Sequence, residues 1–104
     1  MKTKNQTLMA IVVFSLLSCD CLQKVEGVVY DSQTQKPLAD VTIYKSTESY
    51  HTIKTDSEGK FSFSDIETPK NCSTVKLVFE KQNYKTDTLS FSGNITDAVV
   101  NLKK

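Results

Sequence analysis

The stretch VKLVFE, residues 75–80, has an apolar side chain at every second position, at Val75, Leu77 and Phe79. They alternate with Lys76, Val78 and Glu80, so one side of the segment is apolar and the other is largely polar. Successive side chains of a β-strand point to opposite faces, and a period of two predicts a strand with one buried face. This stretch is the clearest of several with the same period, and it decides the fold class.

Five further segments repeat the alternation. Their apolar positions are Val25, Gly27 and Val29; Val41 and Ile43; Phe61 and Phe63; Leu89 and Phe91; and Ala98, Val100 and Leu102. Residues 50–55 form a less clearly sided seventh segment, and turn-forming residues separate the segments. No window after residue 24 has a helical period, so the sequence predicts an all-β sandwich or barrel of seven short strands. Because one face of each strand is polar, we expect the sheets to be antiparallel.

The composition indicates one small globular domain. The chain has 104 residues, of which 38% are hydrophobic and 24% charged, and its formal net charge is +1. That charge gives no electrostatic reason to expect a nucleic-acid partner. All thirteen basic residues are lysines, so no guanidinium group is available to bind a carboxylate or phosphate with two parallel hydrogen bonds.

The first nineteen residues have the pattern of an export signal. Lys2 and Lys4 precede an apolar block at residues 8–17. A membrane-spanning helix needs roughly 20 apolar residues, and this block is about half as long. Its end, Leu16-Leu17-Ser18-Cys19, resembles the lipobox of bacterial lipoproteins. An ordinary signal peptide with an incidental cysteine is the alternative interpretation.

The lipobox resemblance implies that the chain is cut before Cys19 and that this cysteine carries lipid. We therefore predict a lipoprotein signal peptide at residues 1–18, a short lipidated tether at 19–23 and a β-domain at 24–104. Two or three acyl chains on one residue would anchor the domain stably, whereas a single chain binds only marginally. The expected location is a bacterial membrane, the outer rather than the inner, reached by export.

The remaining cysteines, Cys21 and Cys72, are candidates for a disulfide, since an exported protein meets an oxidising compartment. Such a bridge would close a loop of about 50 residues and stabilise the fold by ~4 kcal/mol in the chain-entropy view, but the sequence cannot place the two residues within reach. A metal site is disfavoured because Cys-x-Cys with one distant histidine lacks the ligand count of a zinc site. We predict no metal and no cofactor.

Three blocks of the sequence resemble a known family. VEGVVYDSQTQKPLADVTIY, TIKTDSEGKFSF and LVFEKQNYKT are similar to successive blocks of the carboxypeptidase regulatory-like domain. The matching positions are Gly27, Asp31, Pro37, Leu38, Thr55, Asp56, Gly59, Phe61 and Tyr84. The resemblance implies a single seven-stranded antiparallel Greek-key β-sandwich of the transthyretin-like type. Gln35 and Asp40 depart from the pattern, because the family often has glycine there, and Asn83-Tyr84 stands for its Gly-Tyr.

The matching residues all have structural interpretations. Asp56 can accept hydrogen bonds from the turn that follows it, Gly59 can adopt a positive φ, and Phe61 can begin the buried face of a strand. Asp56 with Glu58 as a catalytic carboxylate pair, and His51 as a catalytic or metal-binding residue, are less favoured. We therefore predict no catalytic residue and no enzyme activity.

These features imply an accessory binding or structural module of the cell envelope. The resemblance implies such a role because related modules accompany nutrient receptors or peptidase domains. A small carbohydrate-binding or hydrolytic envelope protein is the alternative. Outward aromatic or apolar side chains could bind an envelope protein or a glycan. The candidates for that surface are Tyr30, Tyr44, Tyr50, Tyr84, Val78 and Val99.

Overall fold

The computed structural model describes residues 21–67 and 74–104, and within them it is all-β. The strands are β1 (Cys21–Asp31), β2 (Thr42–Lys45), β3 (Thr52–Lys54), β4 (Lys60–Glu67), β5 (Thr74–Glu80), β6 (Asp87–Ser92) and β7 (Ile95–Leu102). The prediction of seven strands without helix is confirmed for these residues. The leader, Cys19 and Cys72 lie outside the described residues. Over the described ranges, no helix has the length and apolar character needed to cross a membrane.

The strands form two sheets. One has three strands in the order β4-β1-β7, and the other has four in the order β3-β2-β5-β6. Every neighbouring pair in the four-stranded sheet is antiparallel, and so is β1 with β4. The prediction of wholly antiparallel sheets is wrong at one pair, because β1 and β7 are parallel.

The parallel pair results from a change of sheet. β6 lies in the four-stranded sheet, and the chain crosses at residues 93–94 before β7 joins the three-stranded sheet beside β1. β6 runs in the direction opposite to β1, and the chain reverses after it. β7 therefore runs in the same direction as β1. Alternating hydrophobicity determines which face of a strand is buried, but it carries no information about strand direction.

The core lies between the two sheets and contains nearly all the side chains that the alternation assigns to it. Its buried members are Val25, Val29, Val41, Ile43, Phe61, Phe63, Val75, Leu77, Phe79, Ala98, Val100 and Leu102. Phe61 of one sheet meets Phe79 of the other edge to face, with ring centroids 5.6 Å apart. Gln23 is also buried, and neither its amide nitrogen nor its oxygen has a hydrogen-bond partner within the described structure.

Val78 departs from the expectation of an outward apolar surface. It is 8% exposed, although it does not belong to the core cluster. Its neighbours across the four-stranded sheet are Tyr44 and Thr88. Tyr44 donates a hydrogen bond from its hydroxyl to the Glu80 carboxylate at 2.6 Å, and this bond raises the pKa of Tyr44. Val78 is therefore covered by its neighbours and offers no exposed apolar surface to a partner.

The strand register places each described loop at one of two ends of the sandwich. β1 begins at Cys21, opposite Glu67 at the end of β4, and β7 begins opposite Val25. The ion pair of Lys45, at the end of β2, with Asp65 of β4 (2.7 Å) aligns the two sheets. We call the end where β1 begins the entry end and the opposite one the distal end. Loops 46–51 and 93–94 lie at the entry end, and loops 32–41, 55–59 and 81–86 lie at the distal end.

Candidate binding groove

A groove of about 630 Å³ opens on the three-stranded sheet. Residues of β1, β4 and β7 line it, and Ile53 and Lys54 of β3 contribute at one side. Val28 and Val99 supply its apolar outward side chains, and they are direct neighbours in the parallel pair of β1 and β7. Val99 is 63% exposed, which makes it one of two large hydrophobic side chains exposed in the described structure; Tyr50 is the other.

A glycine and a β-bulge shape the groove. Val25 pairs with Ile95 but Gly27 pairs with Ala98, so β7 carries one extra residue between these pairs. A Cβ atom at Gly27 would lie 2.3 Å from the Ala98 carbonyl oxygen, closer than any real contact. Only glycine therefore permits β7 to approach β1 this closely. A bulge bends the strand that carries it and redirects its side chains, which gives this face its concave form.

Charged side chains of both signs surround the apolar floor. Glu26 accepts a hydrogen bond from the Ser62 hydroxyl at 3.2 Å, and its carboxylate lies 3.5 Å from the Lys24 ammonium. Lys60, opposite Val28, has its ammonium 3.2 Å from the Glu58 carboxylate. Exposed pairs of this kind contribute about 0–1 kcal/mol. They can therefore exchange partners when a ligand with its own charges enters the groove.

Asp31, at the end of β1, is a buried carboxylate with a complete set of donors. Its Oδ1 accepts hydrogen bonds from the main-chain N–H groups of Gln33 (2.8 Å) and Thr34 (2.9 Å). Its Oδ2 accepts one from the Tyr84 hydroxyl at 2.6 Å. The Tyr84 bond, followed by the two N–H groups, lowers the pKa of Asp31 to about 2, and the same carboxylate raises the pKa of Tyr84. This pair ties loop 81–86 to the end of β1.

Thr55 joins the segment before β2 to the turn before β4. Its hydroxyl donates to the Leu38 carbonyl at 2.7 Å and accepts from the Val41 N–H at 3.0 Å. Leu38 in turn donates its N–H to the Val29 carbonyl, while Pro37 forms an isolated bridge with Tyr30. The threonine and the Pro-Leu block, far apart in sequence, thus meet at the distal end of the sandwich.

Asp56 caps the turn that leads into β4. Its Oδ1 accepts hydrogen bonds from the N–H groups of Glu58 and Lys60, both at 2.9 Å. Gly59 has φ 75°, and a Cβ there would lie 2.7 Å from the Val29 carbonyl oxygen. Phe61 follows as a buried residue of the core. In this arrangement Asp56 is engaged with the backbone, and Glu58 is paired with Lys60.

Among the residues that the structure describes, three other than glycine have positive φ angles: Gln35 (61°), Asp40 (59°) and Asn83 (75°). They stand where the carboxypeptidase regulatory-like pattern often has glycine. The left-handed conformation is therefore present here without glycine, and it carries a cost of about 1–2 kcal/mol for an ordinary side chain, less for Asn and Asp. The sequence marked these positions as departures, and their backbone conformation emerges only from the structure.

His51 is exposed on loop 46–51, and within the described ranges no three residues of the His, Cys, Asp and Glu types form a group able to hold a metal ion. Cys21 starts β1 opposite Glu67. Its predicted disulfide partner, Cys72, lies outside the described residues, so the bridge stays a prediction. The sequence did not predict the groove, although it singled out Val99 and Gly27. The β-bulge that shapes the groove arises from the pairing of β1 with β7, which the sequence does not show.

No family profile matches the sequence, and no curated protein does. Solved structures do resemble the fold. The 3-chlorocatechol 1,2-dioxygenase of Rhodococcus opacus aligns with a TM-score of 0.59 and 16% identity over 84% of this chain and 61% of its own. The Bacillus anthracis TIE protein aligns with a TM-score of 0.53 and 19% identity over 81% of this chain and 18% of its own.

The chain spans less than two thirds of either neighbour's length. At such identities the likeness concerns the fold alone. The two alignments therefore place this chain among proteins with a β-rich, sandwich-like fold.

Proposed function

We propose that this chain is a non-catalytic, lipid-anchored binding module of the bacterial cell envelope. In this proposal it is a transthyretin-like Greek-key sandwich related to the carboxypeptidase regulatory-like domain, and it is held at a membrane, the outer one, through lipid on Cys19. The partner is a segment of another envelope protein. The observation that carries the proposal is the groove over Gly27.

The chemistry of the groove supports a protein segment as the occupant. Its floor is apolar at Val28 and Val99, and charges of both signs surround it at Glu26, Lys60 and Asp97. An apolar centre with a polar rim is the usual composition of a protein interface. A polyanion would meet carboxylates as well as ammonium groups here, so nucleic acid fits poorly.

The position of β7 also supports this occupant. β7 is an edge strand of the three-stranded sheet, and the run 96–99 lines the groove. An edge strand offers unpaired main-chain N–H and C=O groups, to which an extended peptide can add as a further strand. Such a peptide would place alternate side chains beside Val99, the exposed apolar residue of β7 in the groove.

Site-specific photocrosslinking tests the groove. A photoreactive residue at position 99, in the lipidated chain within its own cells, should give a discrete protein adduct identifiable by mass spectrometry. The matched control is position 88, an exposed threonine on the outward face of the other sheet. Val28→Asp, which charges the floor, should abolish the position-99 adduct. The same adducts from both positions, or none from position 99, would contradict the proposal.

The anchor has its own test. Cys19→Ala should release the domain from membranes into the soluble fraction, and the mature wild-type protein should carry acyl chains by intact mass. Unchanged membrane fractionation of Cys19→Ala would count against lipid anchoring, whatever the groove binds.

A further inference from the structure

Tyr50 is the more exposed of the two large hydrophobic side chains that are exposed in the described structure. It is 84% exposed, at the tip of loop 46–51 between β2 and β3. An aromatic ring with a polar hydroxyl is the type of side chain that favours the boundary between membrane and water. Its place in the fold therefore decides whether it can reach such a boundary.

Loop 46–51 lies at the entry end, the same end at which β1 begins. Lys45, directly before the loop, pairs with Asp65, and Asp65 lies opposite Gln23, two residues after the start of β1 at Cys21. Only one residue separates Cys21 from Cys19. Two residues of extended chain span at most about 7 Å. An anchor on Cys19 thus holds the entry end, and with it the loop, at the membrane surface.

The described loops at the two ends of the sandwich differ in their number of charged residues. The distal loops and the C-terminus carry eight charged residues: Lys36, Asp40, Asp56, Glu58, Lys81, Lys85, Lys103 and Lys104. In the described entry-end loops, 46–51 and 93–94, the only charged residue is Glu48. The Lys45 ammonium lies 3.7 Å from the Glu48 carboxylate and 2.7 Å from that of Asp65, so both carboxylates share it. Glu67, at the end of β4, is a further charged residue of this end. The loops 46–51 and 93–94 themselves bring little charge to a lipid surface, so they would incur little of the desolvation cost of charged groups there.

From these three observations we propose that loop 46–51 rests on the membrane, with the ring of Tyr50 inserted at the level of the lipid headgroups. The proposal rests on the proposed lipid anchor at Cys19, and it adds a second point of contact. Lipid chains alone leave the domain free to tilt about its short tether. A second contact at Tyr50 fixes the orientation, so that the distal end faces away from the bilayer and the groove on the side of the sandwich stays accessible.

Fluorescence of a single introduced tryptophan tests the contact, because the chain has none of its own. Tyr50→Trp and, as the matched distal control, Gln82→Trp are each purified as the lipidated full chain and placed in phosphatidylethanolamine–phosphatidylglycerol vesicles. We expect Trp emission at position 50 to shift to shorter wavelength and to be quenched by lipids brominated near the headgroup. Emission at position 82, on an exposed distal loop, should change in neither respect.

A second measurement uses the unaltered side chain. In hydroxyl-radical footprinting of the wild-type lipidated chain, oxidation of Tyr50 should fall severalfold on vesicles relative to the soluble Cys19→Ala form, whereas oxidation of Tyr30 should not. Two results together would overturn the membrane contact and leave the anchor intact, provided that the mass of the protein includes the acyl chains. They are unquenched emission at position 50 and undiminished oxidation of Tyr50. Absence of the acyl mass would overturn both.

Discussion

Replacing Thr55 by valine removes one buried hydroxyl and keeps the shape of the side chain. Thr55 is 3% exposed, and its hydroxyl both donates to the Leu38 carbonyl (2.7 Å) and accepts from the Val41 N–H (3.0 Å). Valine can do neither, so one donor and one acceptor lose their partner. We expect the free energy of unfolding to fall for that reason alone.

The expected loss follows from the burial of the two partners. A buried polar group left without a partner costs about 1–3 kcal/mol. Val41 is fully buried, so the cost of leaving its N–H without a partner lies high in that range. Leu38 is half-buried, so its carbonyl can form a hydrogen bond to water instead, at a lower cost. The main-chain bonds from Asp40 N to Thr55 O (3.2 Å) and from Thr55 N to Val41 O (3.1 Å) persist. We therefore expect a loss of about 2–4 kcal/mol, against a total stability of about 4–12 kcal/mol for a domain of about 80 residues.

Urea unfolding followed by circular dichroism and tyrosine fluorescence measures this loss. The matched control is Thr55→Ser, which keeps the hydroxyl and loses one methyl group, at a cost of about 0.8 kcal/mol. The valine variant should unfold at a clearly lower urea concentration than the serine variant, with the same dependence on denaturant. Equal stability of the two variants would refute the reasoning, because the hydroxyl would then contribute nothing.

Substitutions at three further positions and one pH profile test other parts of the structure. Gly27→Ala should destabilise the fold by about 1–3 kcal/mol or more, since its Cβ meets the next strand at 2.3 Å; a urea midpoint unchanged from wild type would contradict the close approach of β7. Gln23→Met should stabilise it by about 1–3 kcal/mol, because it removes a buried amide that has no hydrogen-bond partner among the described residues; a loss of stability in thermal unfolding would contradict this reasoning. Asp40→Gly should add about 0.5–1 kcal/mol by relieving a positive φ, and Asp40→Ala should not; the comparison of the two melting temperatures decides this. The pKa of Asp31 is lowered from 3.8 to about 2, so this carboxylate contributes stability above pH 3.8 that is lost as the pH falls to about 2. Tyr84→Phe should flatten this dependence of the urea midpoint on pH, measured from pH 2 to 6. An unchanged dependence in the variant would contradict the Asp31–Tyr84 bond.

The sequence by itself determined which side of each strand is buried. The period of two at Val75, Leu77 and Phe79 predicted their burial, and all three lie in the core. The reason is local, because alternate side chains of a strand point to opposite faces whatever the strand pairs with. The sequence also predicted the turn before β4, because Asp56 accepts hydrogen bonds from residues only two and four positions after it.

Only the tertiary structure decided what lies beside each strand. After residues 93–94, β7 joins the three-stranded sheet. This choice of sheet determines that β7 is parallel to β1, that it carries an extra residue opposite Glu26 and that the groove forms. The bond between Asp31 and Tyr84 joins residues 53 positions apart, and Val78 is covered by neighbours from two other strands. A hydrophobic period is a property of a short segment, whereas these contacts depend on the pairing of distant segments, and no local pattern encodes that pairing.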